Sequence, residues 1–157
     1  MSGINTPEGQ VIKLILNQLA SSNGKRTITD TDFRDNLSDV EPTIVNKEIE
    51  RLKGKRVIEA KKDSMFTHPY NFSDIELTIK GWEEYAPLIL GINIQDDRKT
   101  VSEYIQTHSP IEPKDIAAAL DLSMLQVDFA IEHLESQRKI TSGRRHEHPV
   151  RYTWIGG

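Results

Sequence analysis

The sequence predicts a mainly helical α+β fold with small β-hairpins, in which one architecture occurs twice. Three observations predict it: apolar residues at helical spacing, a second copy of the same apolar spacing 82 residues further on, and a β-rich segment after each copy. A repeat of this kind marks a unit of structure that recurs along the chain. A chain of 157 residues can hold two such units as small domains. We predict the domains over residues 6–90 and 97–156.

Five apolar positions define the repeat in each half. The later four lie 5, 9, 12 and 18 residues after the first in both halves. Offsets 5, 9 and 12 fall on one face of a helix, whereas offset 18 lies past the helix end. Upstream, Ile28 and Ile111 match with one residue of slack. The five positions are Val40, Val45, Ile49, Leu52 and Ile58 in the first half, and Leu122, Val127, Ile131, Leu134 and Ile140 in the second.

Each half is predicted to contain a helix, a short strand, two further helices and then a pair of strands. The first helix lies in TPEGQVIKLILNQLA and in DRKTVSEYIQTH, and the second in DTDFRDNL and in PKDIAAAL. The third helix starts at Pro42 in one half and after Ser123 in the other, where Gln126 completes a capping box. The strands flank polar loops in VIEAKKDSMFTHPYNFSDIELTI and in KITSGRRHEHPVRYTWI. Residues 86–97 are predicted to finish a fourth helix and form a packed connection.

The order helix, short strand, helix, helix, hairpin resembles the winged helix-turn-helix superfamily, in two tandem copies. The resemblance is carried by the two five-point repeats, the run DIAAALDLSMLQVDFAIEHLESQRKI, and LTIKGWEEY, a strand that runs into a Thr-capped helix. It covers nearly the whole chain. The resemblance implies that the third helix enters the DNA major groove and that the hairpin, or wing, touches the backbone or minor groove. Because the same fold also binds proteins, each half is judged by its own residues.

The third helix of the first half has a polar, cationic outer face. From residue 42 to residue 62 there are seven Lys and Arg against three Glu, a balance of +4. Asn and Arg side chains can read base edges, and Lys and Thr can hold phosphates. A solvated helix face followed by a charged hairpin is the alternative. We predict base reading by Thr43, Asn46, Lys47 and Arg51, and backbone contact by Lys53, Lys55, Arg56, Lys61 and Lys62.

The third helix of the second half, residues 123–137, is acidic. It contains no Lys or Arg, and its carboxylates are Asp128, Glu132 and Glu135. Since DNA phosphates repel such a face, we predict that this helix does not read DNA. We predict instead that Met124, Leu125 and Phe129 form an interface with the first half or with a second copy of the chain, because exposed apolar pairs mark interfaces. A small helix rotation that places Phe129 in its own core is the alternative.

The C-terminal segment, residues 138–155, is basic although the whole chain has a net charge of −4. It holds five of the 20 Lys and Arg residues, and Glu147 is its one acidic residue. Clustered arginines at a hairpin can donate to phosphates or enter a narrow minor groove. Arg144, Arg145 and Arg151 are therefore predicted to contact the DNA backbone. A surface loop that its charge keeps in solution is the alternative.

Other chemistry finds little support in the sequence. His146 and His148 share a strand face, but two His without cysteine do not complete a zinc site, so no metal is predicted. Phosphate-loop, nucleophile-elbow and metalloprotease motifs are missing, so we predict no catalytic residues, no cofactor and no enzyme activity. Tyr70 and Phe72 could stack on bases, but we predict that they pin the long loop of the first half onto its domain.

The sequence as a whole predicts a soluble, cytoplasmic protein. There is no cysteine, no signal peptide and no apolar run near the ~18 residues that span a bilayer. The predicted function is binding of double-stranded DNA as a transcriptional or replication regulator, as a homodimer or with another protein held by the second half. The alternative is a protein-interaction adaptor, which the acidic net charge and the acidic third helix of the second half also suit.

Overall fold

The chain forms two compact units, Met1–Ile92 and Asn93–Gly157. The computed structural model describes residues 6–21, 27–62, 70–142 and 150–156, without the side chains of Pro7, Glu8 and Lys62. Both units combine helices with a small antiparallel sheet, so the predicted α+β class is confirmed. The predicted domain ranges, 6–90 and 97–156, each lie within one unit.

The first unit has a three-stranded antiparallel sheet with its last strand in the centre. The sheet order is β1-β3-β2, with Ile28 opposite Ile75 and Ile58 opposite Leu77. The two outer strands, β1 and β2, therefore both pair with β3. The elements are α1 (Pro7–Ser21), β1 (Thr27–Thr29), α2 (Asp30–Asn36), α3 (Pro42–Gly54), β2 (Ile58–Lys62), β3 (Phe72–Leu77) and α4 (Ile79–Leu90).

The five repeat positions of the first half all point into its core. Val40 is 7% exposed, and the other four are at most 1% exposed. Tyr70 and Phe72 pack against Phe33, with ring centroids 6.3 Å and 5.2 Å away. Both aromatic side chains are buried, so the prediction that they pack onto their own domain is confirmed.

The second unit repeats this order with shorter strands. Its short first strand is reduced to an antiparallel bridge, in which Ile111 and Tyr152 exchange backbone hydrogen bonds of 3.0 Å and 2.8 Å. Ile111 thus takes the place that Ile28 has in the first unit. The elements are α5 (Ile94–His108), α6 (Pro113–Leu120), α7 (Met124–Ser136), β4 (Ile140–Ser142) and β5 (Tyr152–Trp154), with β4 antiparallel to β5.

The predicted helix starts are confirmed for α3 and α7. Pro42 is the first residue of α3. Ser123 Oγ accepts from the Gln126 N–H at 3.1 Å, and Gln126 Oε1 accepts from the Ser123 N–H at 3.1 Å, which completes the capping box.

The start of α5 differs from the prediction. The helix begins at Ile94, because the Asn93 side chain accepts from the Asp96 N–H at 3.1 Å and caps it. Gly91, at φ 68°, ends α4 in the left-handed conformation that glycine adopts without strain. The connection therefore shortens to residues 91–93.

Candidate nucleic-acid interface

The outer face of α3 presents the residues predicted to read bases, but with unequal freedom. Thr43 and Lys47 are exposed. Asn46 is half-buried, and its Oδ1 accepts from the Asn71 N–H at 3.0 Å, so it also anchors the chain that enters β3. Thr43 and Lys47 are therefore the side chains of this set that stand clear of the domain.

Arg51 is the counterion of a buried carboxylate. Its side chain is 47% exposed, whereas that of Glu48 is 2% exposed. Arg51 Nε donates to both Glu48 oxygens at 2.9 Å, and Nη2 also donates to Oε1. The hydrogen bond to Glu48 raises the pKa of Arg51, with Tyr85 contributing in the same direction. The Arg51 guanidinium is therefore already bound to Glu48 of the same helix before any base is present.

The turn between α3 and β2 gathers four cations. Lys55 and Arg56 are exposed and Lys53 is half-buried. Lys80 joins them from α4, where its Nζ donates to the Lys55 carbonyl at 2.9 Å. The Thr78 hydroxyl donates to the Arg56 carbonyl at 2.7 Å and so fixes the turn. A shallow, open concavity of about 340 Å³ beside the turn is lined in part by Lys53, Arg56 and Thr78.

Lys80 was missed by the sequence analysis. It lies 25 residues beyond Lys55, and only the return of β3 beside β2 brings the two together. Periodicity reports neighbours within one helix or strand, so it carries no signal for such a pair. The predicted strand pairing was the one feature that could have placed Lys80 at this turn.

The outward face of the first sheet is acidic, and Lys61 lies in it. Lys61 is paired with Asp74 across the strands, and Glu59 is paired with Glu76. These residues line an open concavity of about 490 Å³. The neighbouring carboxylates oppose a phosphate at Lys61, which makes it the weakest of the predicted backbone contacts. Lys62 ends β2, and its side chain lies outside the described part.

The predicted wing residues of the second unit divide into two groups. Arg151 is exposed and directly precedes β5. Tyr152 and Trp154 are half-buried and pack against the core of the second unit. Arg144, Arg145, His146 and His148 lie outside the described residues.

The three predicted interface residues of α7 are all buried or partly buried. Met124 is partly buried and packs against the core cluster of the second unit. Leu125 and Phe129 are 3% and 1% exposed, and neither is a member of that cluster. The exposed apolar pair expected on α7 is therefore not observed, because both side chains are buried within the chain. The interface itself stays a prediction.

The remaining face of α7 carries a negative field. Burial raises the pKa of Glu135, and the nearby Glu132 raises it further. Burial also raises the pKa of Tyr152, with Glu135 and Asp128 contributing. A phosphate brought to this face would meet the same carboxylates, which supports the prediction that α7 does not read DNA.

None of the described helices has both the length and the apolar composition for a bilayer crossing. The described side chains also contain no group of three or more His, Asp or Glu that could hold a metal ion.

Comparison with known proteins yields little. No family model matches the chain, and no curated protein does. Among solved structures, the chain is similar to one titled "Crystal structure of a conserved hypothetical protein from Chlorobium tepidum". The identity is 13%, the match covers 94% of this chain and 92% of that one, and the TM-score is 0.35. At that TM-score the likeness carries no argument about fold or function.

Proposed function

We propose that this chain is a tandem winged helix-turn-helix protein that binds double-stranded DNA through its first unit. The order of elements and the β1-β3-β2 sheet support the fold in the first unit. The second unit supports it through the same order and the Ile111–Tyr152 bridge. In this fold α3 enters the major groove and the β2–β3 hairpin acts as the wing.

The observation that carries the proposal is the distribution of positive charge. The chain has a net charge of −4, yet exposed or half-buried cations occupy the outer face and the C-terminal end of α3. They recur from the helix into the turn, and a duplex offers a row of phosphates to such cations. The cations are Lys47, Lys53, Lys55 and Arg56, with Lys80 beside Lys55.

The residues take different parts in the proposed complex. Thr43 and Lys47 face the groove, and Asn46 and Arg51 lie beside them with their side chains partly engaged by the domain. Lys53, Lys55 and Arg56 hold the phosphate backbone at the end of the helix. In the second unit Arg144, Arg145 and Arg151 supply a second set of backbone contacts. A regulator of transcription or replication, acting as a homodimer, is the role that such an arrangement suits.

A protein-interaction adaptor is the second candidate function. The observation that favours it is α7, whose position in the second unit is that of α3 in the first but whose outer face is acidic. An acidic helix in that position suits a basic protein surface better than a duplex. The two functions differ in one measurable property, which is affinity for DNA of arbitrary sequence.

We expect the intact chain to bind a short random-sequence duplex at ~50 mM salt, because phosphate contacts are strongest at low salt. Lys47→Ala should weaken binding several-fold, since one positive charge leaves the centre of the proposed surface. Fluorescence anisotropy with a labelled duplex measures both.

The matched control is Lys13→Ala, which removes one charge from an exposed position on α1. It should bind as the wild type does. Absence of wild-type binding at ~50 mM salt would overturn the DNA proposal and favour the adaptor. Equal losses in the two variants would show that net charge alone, rather than this surface, governs binding.

A further inference from the structure

Helices α3 and α7 are both followed, two residues after their last residue, by an arginine with left-handed backbone. Arg56 has φ 64° and Arg138 has φ 58°, and the two lie 82 residues apart, which is the period of the repeat. In each unit the arginine and the residue after it close the helix with two backbone hydrogen bonds. The bonds run from Arg56 to Lys53 (3.0 Å), Val57 to Leu52 (3.2 Å), Arg138 to Glu135 (2.9 Å) and Lys139 to Leu134 (3.0 Å).

Arginine is an unfavourable choice for this backbone position. A Cβ strains the left-handed conformation, so glycine, or sometimes asparagine, normally closes a helix in this manner. Both units nevertheless carry arginine there. The arginine side chain must therefore contribute something besides helix termination.

The repeat itself singles out these two arginines. Between residues 40–58 and 122–140, six positions carry the same residue in both halves. Four of them are buried apolar core positions, and the Glu pair is exposed in the first unit but half-buried in the second. Arg56 and Arg138 form the one identical pair that is exposed in both. The six pairs are Val45/Val127, Ile49/Ile131, Glu50/Glu132, Leu52/Leu134, Arg56/Arg138 and Ile58/Ile140.

The backbone beneath each arginine is held rigidly. The Thr78 N–H donates to the Val57 carbonyl at 3.2 Å, next to the bond from its hydroxyl to the Arg56 carbonyl. In the second unit, the N–H groups of Ile155 and Gly156 donate to the Lys139 carbonyl at 2.8 Å and 3.0 Å. In both units, then, the chain that leaves the last strand closes over the residue after the arginine.

Among the described residues, neither guanidinium has a side-chain partner within the chain. Arg51 is bound to Glu48 and Arg34 pairs with Asp30, but Arg56 and Arg138 have no ion pair or side-chain hydrogen bond among the described side chains. A fixed base with an uncommitted planar cation suits bidentate binding of an anionic oxygen pair.

We infer that Arg56 and Arg138 are equivalent phosphate-binding residues, one in each unit. The inference rests on the proposed DNA binding and extends it. The second unit meets the duplex backbone at the end of α7, although the acidic face of α7 stays away from the bases. Each unit would then contact a phosphate through the equivalent arginine, and the units would differ in base reading.

The test replaces each arginine with glycine, singly and together, in the full chain. Glycine suits the left-handed backbone, so the Tm of each variant should be unchanged or raised by up to about 4 °C. Binding to a random-sequence duplex should nevertheless weaken, by roughly fivefold to tenfold per arginine at ~100 mM salt. The slope of log affinity against log salt should become shallower by roughly 0.9 for each single variant and twice that for the double.

Two controls separate charge from backbone. Arg56→Lys and Arg138→Lys keep the charge in the same strained position and should retain the wild-type slope, whereas Lys13→Ala removes a charge elsewhere and should also retain it. If wild-type protein binds and either glycine variant keeps its full affinity and slope, the paired role is wrong while DNA binding stands. If the wild type binds no duplex at ~50 mM salt, the proposed function fails and this inference fails with it.

Discussion

Replacing Gly81 with alanine is expected to lower the free energy of unfolding of the first unit by about 3 kcal/mol or more. An added Cβ would lie 2.1 Å from the Val57 carbonyl oxygen and 2.7 Å from Leu77 Cδ1. The first of these atoms is backbone and is fixed by its bond from the Thr78 N–H, so it cannot move aside cheaply. Alanine is favoured over glycine in helices by about 1 kcal/mol, which is too little to offset the clash. Urea unfolding followed by circular dichroism measures the difference.

Gly54→Ala is the matched control for Gly81→Ala. Gly54 is the last residue of α3, and a Cβ there would meet nothing within 4 Å. Its stability should be unchanged or higher by up to about 1 kcal/mol. If both variants unfold at the same urea concentration as the wild type, the close approach of α4 to the α3–β2 turn is not real. The fixed backbone proposed to position the cations of that turn would then be missing.

Arg51→Met is expected to destabilise the first unit by about 2 kcal/mol. The change leaves the Glu48 carboxylate, whose side chain is 2% exposed, without its counterion. Removing one partner of a fully buried ion pair costs about 3–5 kcal/mol. Arg51 is itself 47% exposed, so solvent screening reduces the effect below that range. Equilibrium unfolding at neutral pH gives the value.

A double-mutant cycle shows whether the loss comes from the pair. Glu48→Met combined with Arg51→Met removes both charges, and apolar replacements of a buried pair are often neutral or stabilising. The double variant should therefore recover most of the stability that Arg51→Met loses. If it is as unstable as the sum of the two single variants, the hydrogen-bonded pair is not the source of the effect. Duplex binding by a stable double variant would then report what Arg51 adds at the groove.

The sequence was sufficient for the parts of the fold that local patterns determine. The five repeat positions of the first half, the capping box at Ser123 and the packing of Tyr70 and Phe72 all follow from spacing and side-chain chemistry. Each depends on neighbours within one helix or on the apolar character of a single residue. Such features repeat in any chain with the same pattern, which is why they could be predicted.

The sequence did not predict contacts between residues far apart in the chain, or the burial of a charged side chain. Lys80 meets Lys55 only through strand pairing, and the left-handed backbone of Arg56 and Arg138 reflects how the chain closes over the following residue. Glu48 lies on the same helix face as Val45 and Ile49, so periodicity allowed its burial, but its charge argued for solvent. Only the position of Arg51 one turn later resolves that conflict, because it supplies the counterion.

The slope of log affinity against log salt for random-sequence duplex DNA tests the central claim most directly. The six backbone cations of the proposed complex, together with Arg138, predict a slope between roughly −4 and −6, depending on how many touch phosphate at once. Affinity should fall steeply from ~50 mM to ~200 mM salt. A slope near zero, or no binding even at the lowest salt, would contradict the claim that this acidic chain uses its clustered cations to hold DNA.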